Sequence, residues 1–204
     1  MAFATRNRRP PRTLTDDEIA RLLKVSGEHR AGFRDHLIFS LALGCALRES
    51  EIVALDVEDV TSDGRRPRRT LQLRVFKHGG GHSDASAQRV PLPDATFYKL
   101  EKYLRVLRSE GRTSGPLFTS RKHGARLSVR AVRGLFATWQ TRARFDHHYP
   151  FHTLRHTAIS NFQREGRDLR ATQIFARHAS PSTTTLYEHA SSEEVLRIAR
   201  RLAS

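Results

Sequence analysis

From Leu14 onward, apolar positions recur at helical spacing along most of the chain. Thr15 and Glu18 have the spacing of a capping box, and Leu14 can staple onto Ile19. Ile19, Leu22 and Leu23 then supply the buried stripe of a first helix. A second, more apolar helix is predicted from about Phe33 to Leu43, with Gly44 placed to end it. A short third helix follows from about Glu49 to Leu55. The period then changes. Leu71, Leu73 and Val75 alternate with Gln72, Arg74 and Phe76, the pattern of a strand. Gly79, Gly80 and Gly81 open a polar loop to about Ala87, and Arg89 to Leu92 form the returning strand. Residues near Asp56 to Val60 are expected to complete a small antiparallel sheet with them.

The remainder reads as helix. Asp94 is expected to cap a helix to about Arg108, with Tyr103, Leu104 and Leu107 on one face and Gly111 at its stop. Ser128 caps another to about Arg142. A helix from His152 to Arg164 stops at Gly166, and a short one spans Leu169 to Ala176. Ser180 followed by Pro181 marks a further start, with proline at the first helical position. Ser191 and Glu194 form a second capping box before a terminal helix carrying Val195, Ile198, Ala199 and Leu202. The fold class is α+β, mostly α-helical, with one small antiparallel sheet. No βαβ alternation and no Gly-rich loop before a helix is present, which argues against a nucleotide-binding fold. With 204 residues, one domain is the default. Residues 1–13 read as a flexible basic arm and 14–204 as the folded domain.

Charge adds the first functional constraint. There are 36 Lys and Arg against 21 Asp and Glu, a formal net charge of +15. Such an excess favours a polyanionic partner, because each neutralised phosphate releases condensed counterions. Nucleic acid leads and an anionic membrane surface comes second. A high-GC genome would explain Arg over Lys, but not the net charge. The one cysteine, Cys45, lies in an apolar run, which excludes a disulfide framework and fits a reducing compartment. No run reaches membrane-spanning length, and Met1 to Arg12 lacks the apolar core of a secretion signal. A cytoplasmic location is expected.

Three segments carry candidate chemistry: Ala46-Leu47-Arg48-Glu49-Ser50-Glu51, Phe151-His152-Thr153-Leu154-Arg155-His156, and His178 through Tyr187. Singly each has an ordinary reading. Arg48 near a helix start can be a solvated charge, His152 and Arg155 share a helix face, and Tyr187 can be a core residue with its hydroxyl tied to backbone. Together they suit phosphoryl transfer. That chemistry needs positive charge around the non-bridging oxygens, an in-line nucleophile and an acid for the leaving oxygen. Two arginines match bidentate phosphate contact, and tyrosine is a competent covalent nucleophile when cations lower the cost of its phenolate. Such a cage of side chains needs no metal or other cofactor.

The order and spacing of these residues resemble the tyrosine recombinase (phage integrase) family. The resemblance rests on Ala46-Leu47-Arg48-Glu49-Ser50-Glu51-Ile52, His152-Thr153-Leu154-Arg155-His156, His178-Ala179-Ser180 and Thr183-Thr184-Thr185-Leu186-Tyr187-Glu188-His189. It runs from about Leu14 to the end of the chain and implies an integrase-type catalytic domain. It further implies that Arg48 and Arg155 clamp the scissile phosphate. His152 hydrogen-bonds that phosphate and helps take the tyrosine proton, and His178 donates to a phosphate oxygen. Tyr187 attacks, leaving a 3′-phosphotyrosine and a free 5′-hydroxyl, and Lys77 is the general acid for the leaving 5′ oxygen. Glu51 orients Arg48, although a plain surface ion pair predicts the same spacing. The implied partners are double-stranded DNA, three further copies of the chain in a tetramer on DNA, and accessory DNA-bending proteins. The implied setting is the bacterial nucleoid, the implied activity integration, excision or inversion of a mobile element.

Two features depart from the family. Arg177 stands where glycine usually precedes the last site histidine. Arginine costs less than glycine inside a helix, so the exchange is expected to leave the helix end folded. Only about a dozen residues precede the first helix of the catalytic domain, as in the short fimbrial phase-variation recombinases. An inactive DNA-binding module, or a truncated integrase regulating a full-length recombinase, is the alternative. A metalloenzyme built on His147, His148, His152 and His156 is a third reading; His152 and His156 have the spacing of a helical zinc pair but no adjacent glutamate base. Type IB topoisomerases and hairpin telomere resolvases share the chemistry but usually come with much more chain.

Overall fold

The structure is a computed structural model, and it describes residues 12–63, 65–73, 88–166, 168–177 and 199–200. Its first helix, α1 (Asp16–Glu28), starts where the sequence places it. The Glu18 amide donates to Thr15 Oγ1 at 3.2 Å, and the Thr15 amide donates to the Glu18 carboxylate at 2.8 Å. One residue earlier, the Leu14 amide donates to Thr157 Oγ1 at 2.9 Å, fastening the chain entry to a distant helix.

The second helix, α2 (Phe33–Cys45), is the axis of the fold, and every residue from Asp35 to Cys45 is buried. Its lack of a polar face is thereby explained: α1 packs on one side and later helices on the others. Gly44 does not end it. The helix continues through Cys45, and Ala46 takes the left-handed conformation at φ 49°. A non-glycine residue there costs roughly 1–2 kcal/mol. Tertiary bonds to the Ala46 carbonyl, described below, hold the turn in place of glycine's freedom.

Arg48, in extended conformation, leads into α3 (Glu49–Ala54). Residues 56–60 depart from the expected strand. Asp56 makes only an isolated bridge to Pro116, and Val57–Val60 form a helical turn, α4. The cause is local: the Asp56 amide donates to Asp59 Oδ2 at 2.8 Å, a capping bond that outcompetes a ladder. Among the described residues the sheet is therefore two-stranded. Strand β1 (Thr70–Leu73) runs antiparallel to β2 (Gln88–Pro91), with buried Leu71 opposite buried Val90. Val75 and the loop from Gly79 to Ala87 lie outside the described residues.

Helix α5 (Asp94–Ser109) carries Tyr103, Leu104 and Leu107 on its buried face as expected. Asp94 does not cap it. Asp94 is its first helical residue, and its carboxylate accepts from Arg69 at 2.5 Å. Helix α6 (Val129–Arg142) is capped by Ser128, whose Oγ accepts from the Ala131 amide at 3.1 Å. Helices α7 (His152–Gly166) and α8 (Leu169–Ala176) follow, the latter capped by Asp168.

Phe39, Phe136 and Phe151 interlock at the centre, with ring centroids 5.6 to 6.4 Å apart. A smaller apolar cluster joins Ala46, Ala158, Phe162, Ala171, Phe175 and Ala199, where Phe162 and Phe175 stack at 4.2 Å. Ala199 belongs to the expected terminal helix; Val195, Ile198 and Leu202 lie outside the described residues. Among the described residues, no helix is long and apolar enough to cross a membrane.

Candidate active site

Two helix C-termini converge on one point. The last carbonyl of α8, on Ala176, and the carbonyl of Ala46 just past α2 both accept hydrogen bonds from the Arg155 guanidinium. Arg155 lies on the first turn of α7 and is 3% exposed. Its neighbours Thr153, Leu154 and Thr157 are also buried, which presses this face of α7 onto α2. Terminal helix carbonyls carry partial negative charge, so they orient a buried cation without neutralising it.

Arg48 and Glu51 form the second part of the site. The Glu51 carboxylate accepts from the Arg48 amide at 2.7 Å and from Arg48 Nη1 at 2.8 Å. Glu51 thus closes the start of α3 and aims the Arg48 side chain at once. The Arg48 side chain is 40% exposed, so the rest of its guanidinium faces outward.

Arg177 joins these parts, a role the sequence reading did not anticipate. It lies past the end of α8 at φ 50°, in the left-handed region. It is therefore not a helix-interior residue, and glycine, not arginine, is the easier residue there. Its side chain turns inward. Nη2 donates to Glu51 Oε2 at 2.8 Å and to the Ala46 carbonyl at 3.0 Å. Nη1 donates to the carbonyls of Cys45 at 3.2 Å and Phe175 at 3.3 Å. The departure from glycine was visible in the sequence; the contacts to Cys45, Ala46 and Glu51, over a hundred residues away along the chain, were not.

The electrostatics follow from this packing. Burial, then the charges of Arg177 and Arg48, hold Arg155 below the usual arginine range, with Glu51 opposing. Burial raises the Glu51 carboxyl, but Arg177 and the bonds from Arg48 outweigh it and leave its pKa lowered. Two guanidinium groups thus pair with one carboxylate while a third, Arg155, lies close by, so the cluster keeps a net positive charge suited to a phosphate oxygen.

His152 opens α7, three residues before Arg155, and is exposed. Its ring stands edge-on to His156, centroids 4.4 Å apart. Partial burial, then His156, Arg155 and Arg48, lower its pKa against the opposing charge of Glu49. These causes favour the neutral imidazole, the form able to accept a proton. His148 belongs elsewhere, within 3.2 Å of Thr141 Oγ1 on α6. Among the described residues, no group of three or more His, Cys, Asp or Glu side chains is placed to hold a metal ion.

The structure thus brings Arg48, Glu51 and Arg155 together and sets His152 on the same helix as Arg155. Lys77, His178 and Tyr187 lie outside the described residues. Two other arginines make their contacts within the fold. Arg126 donates to the carbonyls of Val53 and Leu55 and to Asp56, and Arg121 to the Ala31 carbonyl and Asp35.

This arrangement can be set beside known proteins. The family model of the phage integrase family matches residues 12–194. The chain belongs to the phage integrase family. Among its relatives in that family is the tyrosine recombinase XerC of Vibrio vulnificus (strain YJ016), 32% identical over 187 residues. That match covers 91% of this chain and 56% of the relative. The tyrosine recombinase XerC of Chromobacterium violaceum is 35% identical over 179 residues, covering 87% of this chain and 55% of the relative. This integrase-family chain therefore spans little more than half the length of the curated relatives it matches. Its fold is similar to that of XerA recombinase, with a TM-score of 0.70 at 22% identity, covering 94% of this chain and 65% of the other. It is also similar to XerH site-specific recombinase bound to difH substrate in a pre-cleavage complex. There the TM-score is 0.66 at 19% identity, covering 100% of this chain and 58% of the other.

Proposed function

We propose that this chain recombines double-stranded DNA at specific sites, cutting and rejoining strands through a covalent 3′-phosphotyrosine at Tyr187. The observation that carries this reading is the arginine cluster in which Arg48 and Arg177 pair with Glu51 while Arg155 and Arg177 share the Ala46 carbonyl. A positive, partly buried cluster oriented by backbone carbonyls is suited to an anion that gains charge as it reacts. A histidine kept neutral beside it suits the proton transfer.

In the proposed step, the Tyr187 oxygen attacks the scissile phosphorus and its proton passes to His152. The P–O5′ bond breaks, and Lys77 gives the leaving 5′ oxygen its proton. Arg48, Arg155 and His178 hold the non-bridging oxygens, with Glu51 fixing Arg48. Attack by the 5′-hydroxyl of a second strand reverses these transfers and rejoins the DNA. The phosphodiester energy is kept in the phosphotyrosine, so no nucleotide cofactor enters. Residues 14–204 act as the catalytic unit and residues 1–13 as a basic arm. The working assembly is a tetramer on two duplexes of chromosomal DNA in the bacterial cytoplasm, with accessory DNA-bending proteins where a target requires them.

The test is covalent capture. The protein is mixed with nicked duplexes from its own genomic neighbourhood, so that cleavage releases a short strand and traps the link. DNA-bound protein recovered after denaturation identifies the site by the captured strand. Capture by the wild type and none by Tyr187→Phe is the expected result. Salt-sensitive DNA binding by both, with capture by neither across genomic DNA and added bending proteins, would instead make the chain a binding module.

A further inference from the structure

Glycine is the residue that suits the left-handed corner after α8, yet this chain carries arginine there. The backbone cost of that choice has to be offset by the side chain. Arg177 spends none of its described contacts on solvent. Its side chain is 8% exposed and makes four hydrogen bonds, to Glu51, Ala46, Cys45 and Phe175.

Those four acceptors have a pattern. Cys45 and Ala46 form the second left-handed corner, at the end of α2, which leads directly into Arg48. Glu51 is the group that grips the Arg48 guanidinium. Phe175 belongs to α8, the helix that leads into His178. One guanidinium therefore bridges the segment carrying one proposed phosphate ligand and the segment leading to another. On Glu51 the division of labour is specific: Oε2 takes Arg177 and the Arg48 amide, which leaves Oε1 to Arg48 Nη1. Arg177 thus fixes which carboxylate oxygen meets the Arg48 side chain, and at what angle.

We propose that Arg177 is a positioning residue, which locks Glu51 so that Arg48 is presented to the scissile phosphate in one orientation, and which ties the α8 corner before His178 to the same frame. The proposal rests on the phosphoryl-transfer reading above, but its structural half can be tested without it.

The test uses the full chain with Arg177→Gly, which suits the left-handed corner, and Arg177→Lys, which keeps charge but not the two-pronged grip. Thermal melting of each variant checks folding. Two readouts follow. The first is single-turnover cleavage of the captured nicked duplex at saturating protein, alongside DNA affinity. Arg177→Gly should cut roughly 10- to 100-fold more slowly, as expected of a small misplacement of a reacting group. Its DNA affinity should change by no more than about twofold, because the interaction acts in the transition state and not in the ground state. In an Arg48→Lys background, where the paired contact is already lost, removing Arg177 should slow cleavage by less than about threefold, since coupled residues are not additive. The second readout is the NMR signal of the Arg48 Nε–H group. It should be sharp and slowly rotating in the wild type and in solvent-like exchange in Arg177→Gly, with Arg177→Lys between them.

A variant that cleaves like the wild type, or one whose deficit is the same in the Arg48→Lys background, overturns the proposal; so does a loss confined to DNA affinity. Should the wild type itself fail to cleave, the recombination reading falls by that result alone. The NMR readout still decides positioning: an Arg48 signal unchanged by Arg177→Gly refutes it.

Discussion

Replacing Glu51 with glutamine tests the centre of the site without changing its shape. The carboxylate accepts three hydrogen bonds, from the Arg48 amide, Arg48 Nη1 and Arg177 Nη2. Glutamine keeps one oxygen and turns an NH2 toward cationic donors, so at least one guanidinium N–H then faces another N–H. Removing a partner from a buried ion pair costs about 3–5 kcal/mol. The pair with Arg177 is close to that case, with side chains 8% and 12% exposed. Glutamine retains an acceptor, however, and the 40% exposed Arg48 side contributes at most about 1 kcal/mol after solvent screening. The expected loss at pH 7 is about 2–3 kcal/mol, a large share of a typical domain stability of about 5–15 kcal/mol. The pH dependence is a sharper check. Because the folded pKa of Glu51 lies below its ordinary value, its contribution is complete above the unfolded pKa, about 4.3. It is lost as pH falls from there through the folded pKa, at a slope of about 1.4 kcal/mol per pH unit. Urea unfolding of wild type and Glu51→Gln should show a constant gap from pH 7 to about 4.5. Below that the gap should narrow, because protonated Glu51 and glutamine are then alike in charge. A gap under about 0.5 kcal/mol at pH 7, the size of an ordinary surface substitution, would refute the reasoning. So would a gap that persists unchanged into acid.

Burial, then the charge of Lys99, push His36 down to about 4 despite its bond to the Leu23 carbonyl. The unfolded chain takes this proton first, at about 6.5, so stability falls between pH 6.5 and 4, by about 2 kcal/mol once solvent screening is allowed for. Urea melts at pH 7.5 and 4.5 should show that slope in the wild type and its loss in His36→Gln; equal slopes would remove His36 as the cause. His152 is also lowered, by burial and then by His156, Arg155 and Arg48, so cleavage should stay level as pH falls through 6.5 and decline only below it. A pH–rate profile with its acid midpoint at or above 6.5 would contradict the neutral-base role. Ser128→Ala removes the cap on α6 and should cost about 1 kcal/mol by urea unfolding; no loss would show that the bond contributes nothing.

The parts of the fold legible in the sequence are those fixed by neighbours within one turn. Thr15 with Glu18, and Ser128 with Ala131, satisfy helix ends locally, so their spacing was enough. The misread parts are those where two local solutions compete or where a distant group decides. Asp56 could begin a strand or a turn, and the carboxylate of Asp59, three residues on, settles it for the turn. Asp94 had the look of a cap, but Arg69 claims its carboxylate from another element. Gly44 was the natural helix stop, yet the chain turns at Ala46, because guanidinium groups from α7 and from the end of α8 hold that carbonyl. At the site the same rule holds. Arg48 and Glu51, three residues apart, could be paired from spacing alone. The link from Arg155 through Ala46 to Arg177 spans 109 and 131 residues of chain and needed the fold.

The choice of partners for these arginines bears on what the site is built to do. A cluster meant only for stability would match each guanidinium with a carboxylate. Here Arg155 is anchored by the carbonyls of Ala46 and Ala176, at the ends of two helices, and the cluster's one carboxylate is shared between Arg48 and Arg177. Carbonyls and helix ends supply partial charge, about half an electron at most, which orients a cation but leaves most of its field intact. The Arg155 guanidinium is held below the usual arginine range by burial first and then by the charges of Arg177 and Arg48, which Glu51 opposes. The cluster therefore holds like charges close together, and in the proposed function the phosphodiester anion would relieve their repulsion. That relief is greatest for the species with the most negative charge, which in the proposed phosphoryl transfer is the one nearest the transition state.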